Sequence, residues 1–330
     1  MGGLLTHFRH SSNPTIRLFA TNPSIVTGGA SGVVHYLVRV TPFAAHCQSR
    51  FRHTREVPKF EANSFTALTR LGSAAQAAPI LWLNASEDAR ALVVGQELFI
   101  TYSRPKVARG RCRMVLQRVG WPSVERLGAP VHLRLPGANR IEKNWIPLRT
   151  TSTPAGNATL LMSYSIEPHV VVGCDTRSGQ CARLYNTSSP LWRERLPRAT
   201  RERVSGGTSC APLQGHGLSV CVAHFKPVGT SRYYHIFYAI SNSPPYAVQR
   251  VSAPFKLPKH PSTRSGIQFA SGLALWPDAE TLTISYGEAD CYASTVQVAK
   301  SEVLRWLEPD GAQAGKARAR RGSVPMCQGI

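Results

Sequence analysis

The sequence predicts an all-β chain folded as a single-domain, five-bladed β-propeller, and three observations carry that expectation. Its 330 residues include 24 Pro and 26 Gly but few long helical patterns, so turns punctuate the chain frequently. A strand signature rich in β-branched and aromatic residues recurs five times. The short segment upstream of each strand recurs too, at a nearly constant spacing.

The first copy of the strand signature runs from Val33 to Val40 (Val-Val-His-Tyr-Leu-Val-Arg-Val). The same type returns at Glu97 to Ser103, Thr159 to Ser165, Tyr233 to Ala239 and Thr281 to Gly287. Runs of this composition, each following a Gly, Asn, Asp or Ser turn, form strands. Before them stand Asn22-Pro-Ser-Ile25, Glu87-Asp-Ala-Arg90, Glu142-Lys-Asn-Trp145, Gly206-Gly-Thr208 and Ala270-Ser-Gly-Leu273, with starting points 65, 55, 64 and 64 residues apart. Self-similarity at a fixed period marks a repeat architecture. A period near sixty, without a helix pattern, fits four-stranded blades with long loops; a β-sandwich with coincidental spacing is the alternative. The expected layout is an N-terminal extension over 1–20, the propeller over 21–308, and a flexible basic tail over 309–330 that holds Lys316, Arg318, Arg320 and Arg321.

Composition bounds the function. Hydrophobic residues make up 42 % of the chain and charged residues 17 %, which excludes a wholly disordered protein. No run approaches the roughly 18–20 apolar residues of a membrane span: Ala74 to Leu83 is too short and contains Gln76 and Pro79. The net charge is +21, and 31 of the 39 basic residues are Arg, spread along the whole chain. Such an excess suits an anionic partner, but the Arg residues are not interleaved with aromatics as nucleic-acid binding requires, so nucleic acid is not expected.

The eight Cys are even in number, and Cys174/Cys181 and Cys210/Cys221 each flank a turn, so each pair could staple a hairpin in an oxidising compartment. No C-x-x-C occurs and no metal site is expected. Sequons at Asn84, Asn157 and Asn186 lean the same way, toward a glycoprotein of the secretory pathway, in the Golgi lumen or outside the cell. Met1 to Phe19 lacks a signal-peptide apolar run.

In a propeller the first strand of each blade lines the axis, so its opening residues ring one mouth of the channel. Those residues are Asn22, Asp88 with Arg90, Glu142 with Lys143 and Asn144, Thr208, and Ser271. Polar groups at the same point of every repeat are costly to bury without partners, and their convergence on one pocket explains them together.

These segments, with Leu98-Phe-Ile-Thr-Tyr102 and Tyr286-Gly-Glu-Ala-Asp290, occur in an order that resembles the five-bladed propellers of the β-mannoside phosphorylases (glycoside hydrolase family 130) and the related β-1,2-mannosyltransferases. The resemblance spans roughly Asn22 to Leu307. Glu142-Lys-Asn-Trp145 and Ser165-Ile-Glu-Pro-His169 also resemble signatures of eukaryotic and algal propellers of this type. The resemblance implies chemistry at an anomeric carbon, with Asp88 as the sole catalytic acid, its proton relayed through a sugar hydroxyl while phosphate attacks from the opposite face. The family's Glu-Asp-Pro-Arg motif reads Glu-Asp-Ala-Arg here, with Ala89 in place of Pro. One carboxylate suffices when the nucleophile arrives already charged. Phosphate calls for a cationic cradle, for which Arg90 and Lys143 stand in the motifs. The family's further Arg does not align, and Glu167 and His169 stand near its place, so a mannosyl transferase or a hydrolase is implied beside the phosphorylase.

The expected substrate-binding set is Asn22, Arg90, Glu142, Lys143, Asn144, His169 and Asp290. The expected partners are an oligosaccharide or glycan and a sugar phosphate or nucleotide sugar, with no cofactor beyond inorganic phosphate as co-substrate. The competing expectation is a non-catalytic propeller that binds glycans or proteins and needs no chemistry from Asp88.

Overall fold

A computed structural model describes residues 8–10, 13–26, 35–41, 65–70, 80–106, 111–125, 127–152, 158–196, 202–259, 266–276, 280–289 and 292–308. The described strands form five antiparallel sheets in chain order. The first holds β1 (Phe8–His10), β2 (Asn13–Val26), β3 (His35–Thr41), β4 (Phe65–Arg70) and β5 (Leu81–Asn84). The second holds β6 (Glu87–Val94), β7 (Glu97–Lys106), β8 (Arg111–Gly120) and β9 (Val131–His132); the third, β10 (Ile146–Ser152), β11 (Ala158–Ile166), β12 (His169–Asp175) and β13 (Cys181–Thr187). After the short α1 (Leu191–Arg195) the fourth holds β14 (Ser205–Gly206), β15 (Ala211–Leu213), β16 (Leu218–Phe225), β17 (Tyr234–Ser241) and β18 (Val248–Val251). The last holds β19 (Gln268–Leu275), β20 (Thr281–Glu288) and β21 (Tyr292–Ala299), and α2 (Lys300–Trp306) follows directly.

Period-2 alternation explains why the sheets stack face to face. In β7, Leu98, Ile100 and Tyr102 pack toward the first sheet with Val26, Leu37 and Leu68, whereas Phe99 packs toward the third with Met162 and Trp145. In β16, Cys221 and Ala223 face the third sheet and α1, while Val220 and Val222 face the last. Strands buried on both faces read as nearly continuous apolar runs. The first strands also touch around the axis: β2 meets β6 and β19, and β6 meets β10. Ser271 Oγ donates to Pro23 O at 2.8 Å, joining the last sheet to the first and closing the ring. This cyclic stack is a β-propeller.

Three expectations are corrected. Five four-stranded blades were expected; among the described residues four sheets have the four or more strands of a full blade, and the last has three. The reason lies at Lys300, where the chain turns helical instead of entering another strand; Val303 and Leu307, four residues apart, bury one face of that turn in the core. The Tyr233 to Ala239 run, read as equivalent to the other four signatures, belongs to β17, one strand further from the axis. The equivalent place is taken by β16, whose Leu-Ser-Val-Cys-Val-Ala-His-Phe lacks the Tyr that marked the others. The boundary expected at residue 21 falls inside β2, which reaches back to Asn13. The basic tail lies outside the described residues.

Candidate functional site

Three of the recurrent segments lie within the inner strands β2, β6 and β19, where a backbone irregularity marks them; Glu142–Trp145 directly precedes β10, and Gly206–Thr208 begins at the end of β14. Pairing shifts register between Thr21 and Ser24 in β2, between Glu87 and Arg90 in β6, and between Ala270 and Gly272 in β19. Bulges of this kind re-aim a side chain and are frequent beside active sites. Asn22, Asp88 and Asn144 all adopt the left-handed region, with φ of 46°, 49° and 62°. Asn and Asp tolerate that region better than other side-chain-bearing residues, though at a cost. Three sheets thus present an Asn or Asp in the same unusual conformation at one end of the axis.

The three are joined. Asn22 Nδ2 donates to Asp88 Oδ1 at 2.9 Å. Arg90 donates from Nη1 to the Asp88 carbonyl at 2.7 Å, from Nη2 to Asn144 Oδ1 at 3.1 Å, and from Nε to the Gly207 carbonyl at 2.7 Å. Its guanidinium carbon also lies 5.6 Å from the Phe269 ring centre. One fully buried Arg therefore ties the second sheet to the third, fourth and fifth. Burial pushes its pKa down to about 10, opposed by the Asp88 carboxylate and by Tyr238, so it stays charged at neutral pH. Gly207 is required where it stands: a Cβ there would meet Val222 O at 2.6 Å and Ala270 O at 3.0 Å.

Around Asp88 lies a charged group that sequence reasoning only partly anticipated. Arg39, from β3, reaches Glu87 Oε1 at 3.0 Å and Asp88 Oδ1 at 3.7 Å. Lys143 Nζ lies 3.4 Å from the other Glu87 oxygen. Burial acts to lower the Lys143 pKa, but Glu87 and Asp88 outweigh it and the net shift is upward. The buried thiol of Cys112, raised chiefly by desolvation, feels Lys143 and Glu87 as well. Arg39 and Glu87 were not in the expected set. The signal for Arg39 is a charged side chain inside an otherwise apolar strand signature.

The remaining expected residues fall elsewhere. Glu142 is buried and turned away from Asp88, accepting from Trp145 Nε1 at 2.9 Å, from the Tyr164 hydroxyl at 3.2 Å and from the Asn139 backbone N–H. His169 lies in β12, third from the axis, buried with Nε2 3.0 Å from Ser163 Oγ; burial lowers its pKa to about 4. Thr208 Oγ1 accepts the Val222 N–H at 3.0 Å, and Ser271 is spent on Pro23. Asp290 lies outside the described residues. His224, which the sequence did not single out, sits beside Phe269 at a ring separation of 5.0 Å; its pKa is held well below normal by burial and then by His235, Arg90 and Lys226. Among the described residues no group of three or more His, Cys, Asp or Glu side chains is placed to hold a metal ion.

No family model and no curated protein matches the sequence. Solved structures do match. The β-1,2-mannobiose phosphorylase of Listeria innocua, solved with β-1,2-mannobiose, superposes with a TM-score of 0.60 at 16 % identity, over 88 % of this chain and 93 % of that one. A protein of Bacteroides ovatus assigned as a glycoside hydrolase superposes with a TM-score of 0.58 at 14 % identity, over 93 % and 95 % of the two chains. The fold is shared. At these identities the likeness extends to the propeller and no further.

The two hairpin disulfides are formed, Cys174–Cys181 in the β12–β13 hairpin and Cys210–Cys221 beside β15 and β16. They fit a protein of an oxidising compartment. No helix among the described residues is long and apolar enough to cross a membrane.

Proposed function

We propose that this chain is a carbohydrate-active enzyme that cleaves or transfers a glycosidic bond at the anomeric carbon of a β-mannoside or related glycan, with Asp88 as the acid. The observation that supports this reading most directly is the setting of Asp88. Its carboxylate is aimed by a left-handed bulge, held by Asn22, and flanked by Arg39 with the Glu87–Lys143 pair. In the reaction, the bond between the anomeric carbon and the glycosidic oxygen breaks while that oxygen receives a proton originating from Asp88. A new bond forms from the anomeric carbon to the incoming oxygen nucleophile, and Asp88 regains its proton from solvent. With inorganic phosphate as nucleophile, the products are a sugar 1-phosphate and the shortened glycan. The sequons at Asn84, Asn157 and Asn186 are read as marks of a glycoprotein.

One observation favours a transferase or hydrolase over a phosphorylase. Arg90, expected to help hold phosphate, directs three donors onto Gly207, Asp88 and Asn144, and among the described residues the cations beside Asp88, Arg39 and Lys143, both pair with Glu87. Incubating the protein with β-1,2-mannobiose, with and without phosphate, separates these outcomes. Phosphate-dependent release of mannose 1-phosphate identifies a phosphorylase, whereas turnover indifferent to phosphate identifies a transferase or hydrolase. Asp88→Asn is expected to lower turnover by at least about a hundredfold, the lower range for losing a general acid, with an unchanged melting temperature. A glycan array that binds while every turnover assay is blank supports the non-catalytic binding propeller instead.

A further inference from the structure

Glu142 and Lys143 are adjacent in sequence but face different places: Lys143 pairs with Glu87 beside Asp88, while Glu142 lines a separate cleft of about 440 Å³ between the second and third sheets. We propose that this outer cleft binds an acidic sugar, a hexose unit bearing a carboxylate or sulfate. Its volume lies within the range of small-molecule sites, roughly 300–1,000 Å³. Buried Leu133 and Leu135 form part of the wall, and Arg113, His132 and Arg134 contribute the basic groups.

The guanidinium charge of the cleft is not spent on a carboxylate. Arg113 donates from Nη1 to the Asn139 carbonyl at 3.0 Å, and among the described residues neither Arg113 nor Arg134 has a carboxylate within ion-pair distance. The carboxylate in the wall, Glu142, already accepts from Trp145, Tyr164 and Asn139 and offers little to a cation in the cleft. Guanidinium groups match carboxylate and sulfate oxygens two at a time, and a site with two of them not ion-paired to a carboxylate favours an anion over a neutral ring. That the anion is carried by a sugar rests on the reading of the neighbouring axial site as a glycoside site; the anionic preference itself does not.

Titration calorimetry at low ionic strength, with glucuronic acid, glucose 6-sulfate, glucose and inorganic sulfate as probes, tests this. The two acidic sugars are expected to bind at least about tenfold more tightly than glucose or inorganic sulfate, the worth of one charge-assisted hydrogen bond. Arg113→Gln with Arg134→Gln is expected to lower that affinity about tenfold or more, and Asp88→Asn to leave it unchanged. Arg134→Gln alone, at an exposed position, keeps the test valid if the double variant fails to fold. Absence of binding, equal binding of glucose, or indifference to Arg134→Gln overturns the proposal, as does inorganic sulfate binding as tightly as the sulfated sugar. Loss of binding in Asp88→Asn overturns it too, by moving the ligand to the axis. Binding that survives in a protein without turnover leaves the cleft standing and removes only the axial reading.

Discussion

At the scale of single residues, Arg90 is the clearest case of a motif residue whose structural work differs from its expected role. Its donors satisfy acceptors in three sheets, in a site sealed from water. Arg90→Met would strand the Gly207 and Asp88 carbonyls and the Asn144 amide oxygen, each unsatisfied acceptor costing about 1–3 kcal/mol. A loss of at least about 3 kcal/mol is expected in urea denaturation, together with loss of any activity that needs Asp88 in place. The buried histidines set a pH dependence. His169 and His235 titrate at about 4 and about 3 in the folded chain, and His224 is also held down, all by burial first. Unfolded histidines titrate near 6.5. Below that pH the unfolded chain therefore takes up protons that the folded chain refuses, so stability is full above about 6.5 and falls as the pH drops toward 4. Melting temperature against pH should show this decline, and His169→Gln should make it shallower.

At the scale of elements, the hairpins and bulges carry the consequences. The disulfides close loops with sequence separations of 7 and 11 residues, for which the chain-entropy estimate is about 2–3 kcal/mol apiece. Denaturation with and without reductant is expected to differ by that amount for each bond, and Cys210→Ser with Cys221→Ser should reproduce one share of it. Strand existence was legible because apolar alternation and β-branched composition are local. Which strand stands second from the axis was not: Leu218 to Phe225 and Tyr234 to Ser241 are both good strands, and only their pairing with β14 tells them apart. The bulges at Asn22 and Asp88 left a trace as polar residues at a fixed point of the repeat, but not their φ values or their mutual hydrogen bond.

At the scale of the whole molecule, the ring is closed where the first and last sheets meet. Ser271 donates to Pro23 O, and a Cβ on Gly272 would run into Ile25 N, Ser24 Cα and Ser285 Oγ. Gly272→Ala is expected to cost about 1–3 kcal/mol through overpacking at this seam, read from chemical denaturation. Closure also assembles the site: Asn22, Arg39, Glu87, Asp88, Arg90, Lys143 and Asn144 come from three sheets, and Gly207 and Phe269 from two more. By itself the sequence determined the all-β class and the repeat, offered the two cysteine pairs as hairpin staples, and set Asn22, Asp88, Arg90, Lys143 and Asn144 on one rim together with Glu142, Thr208 and Ser271, because composition, period and spacing are properties of the chain. Only the tertiary structure decided that Arg90 turns inward, that Glu142 faces an outer cleft, that Arg39 joins Asp88 and that the last sheet has three strands. Side-chain direction and pairing depend on which surfaces the closed ring presses together, and that information is not local to any segment.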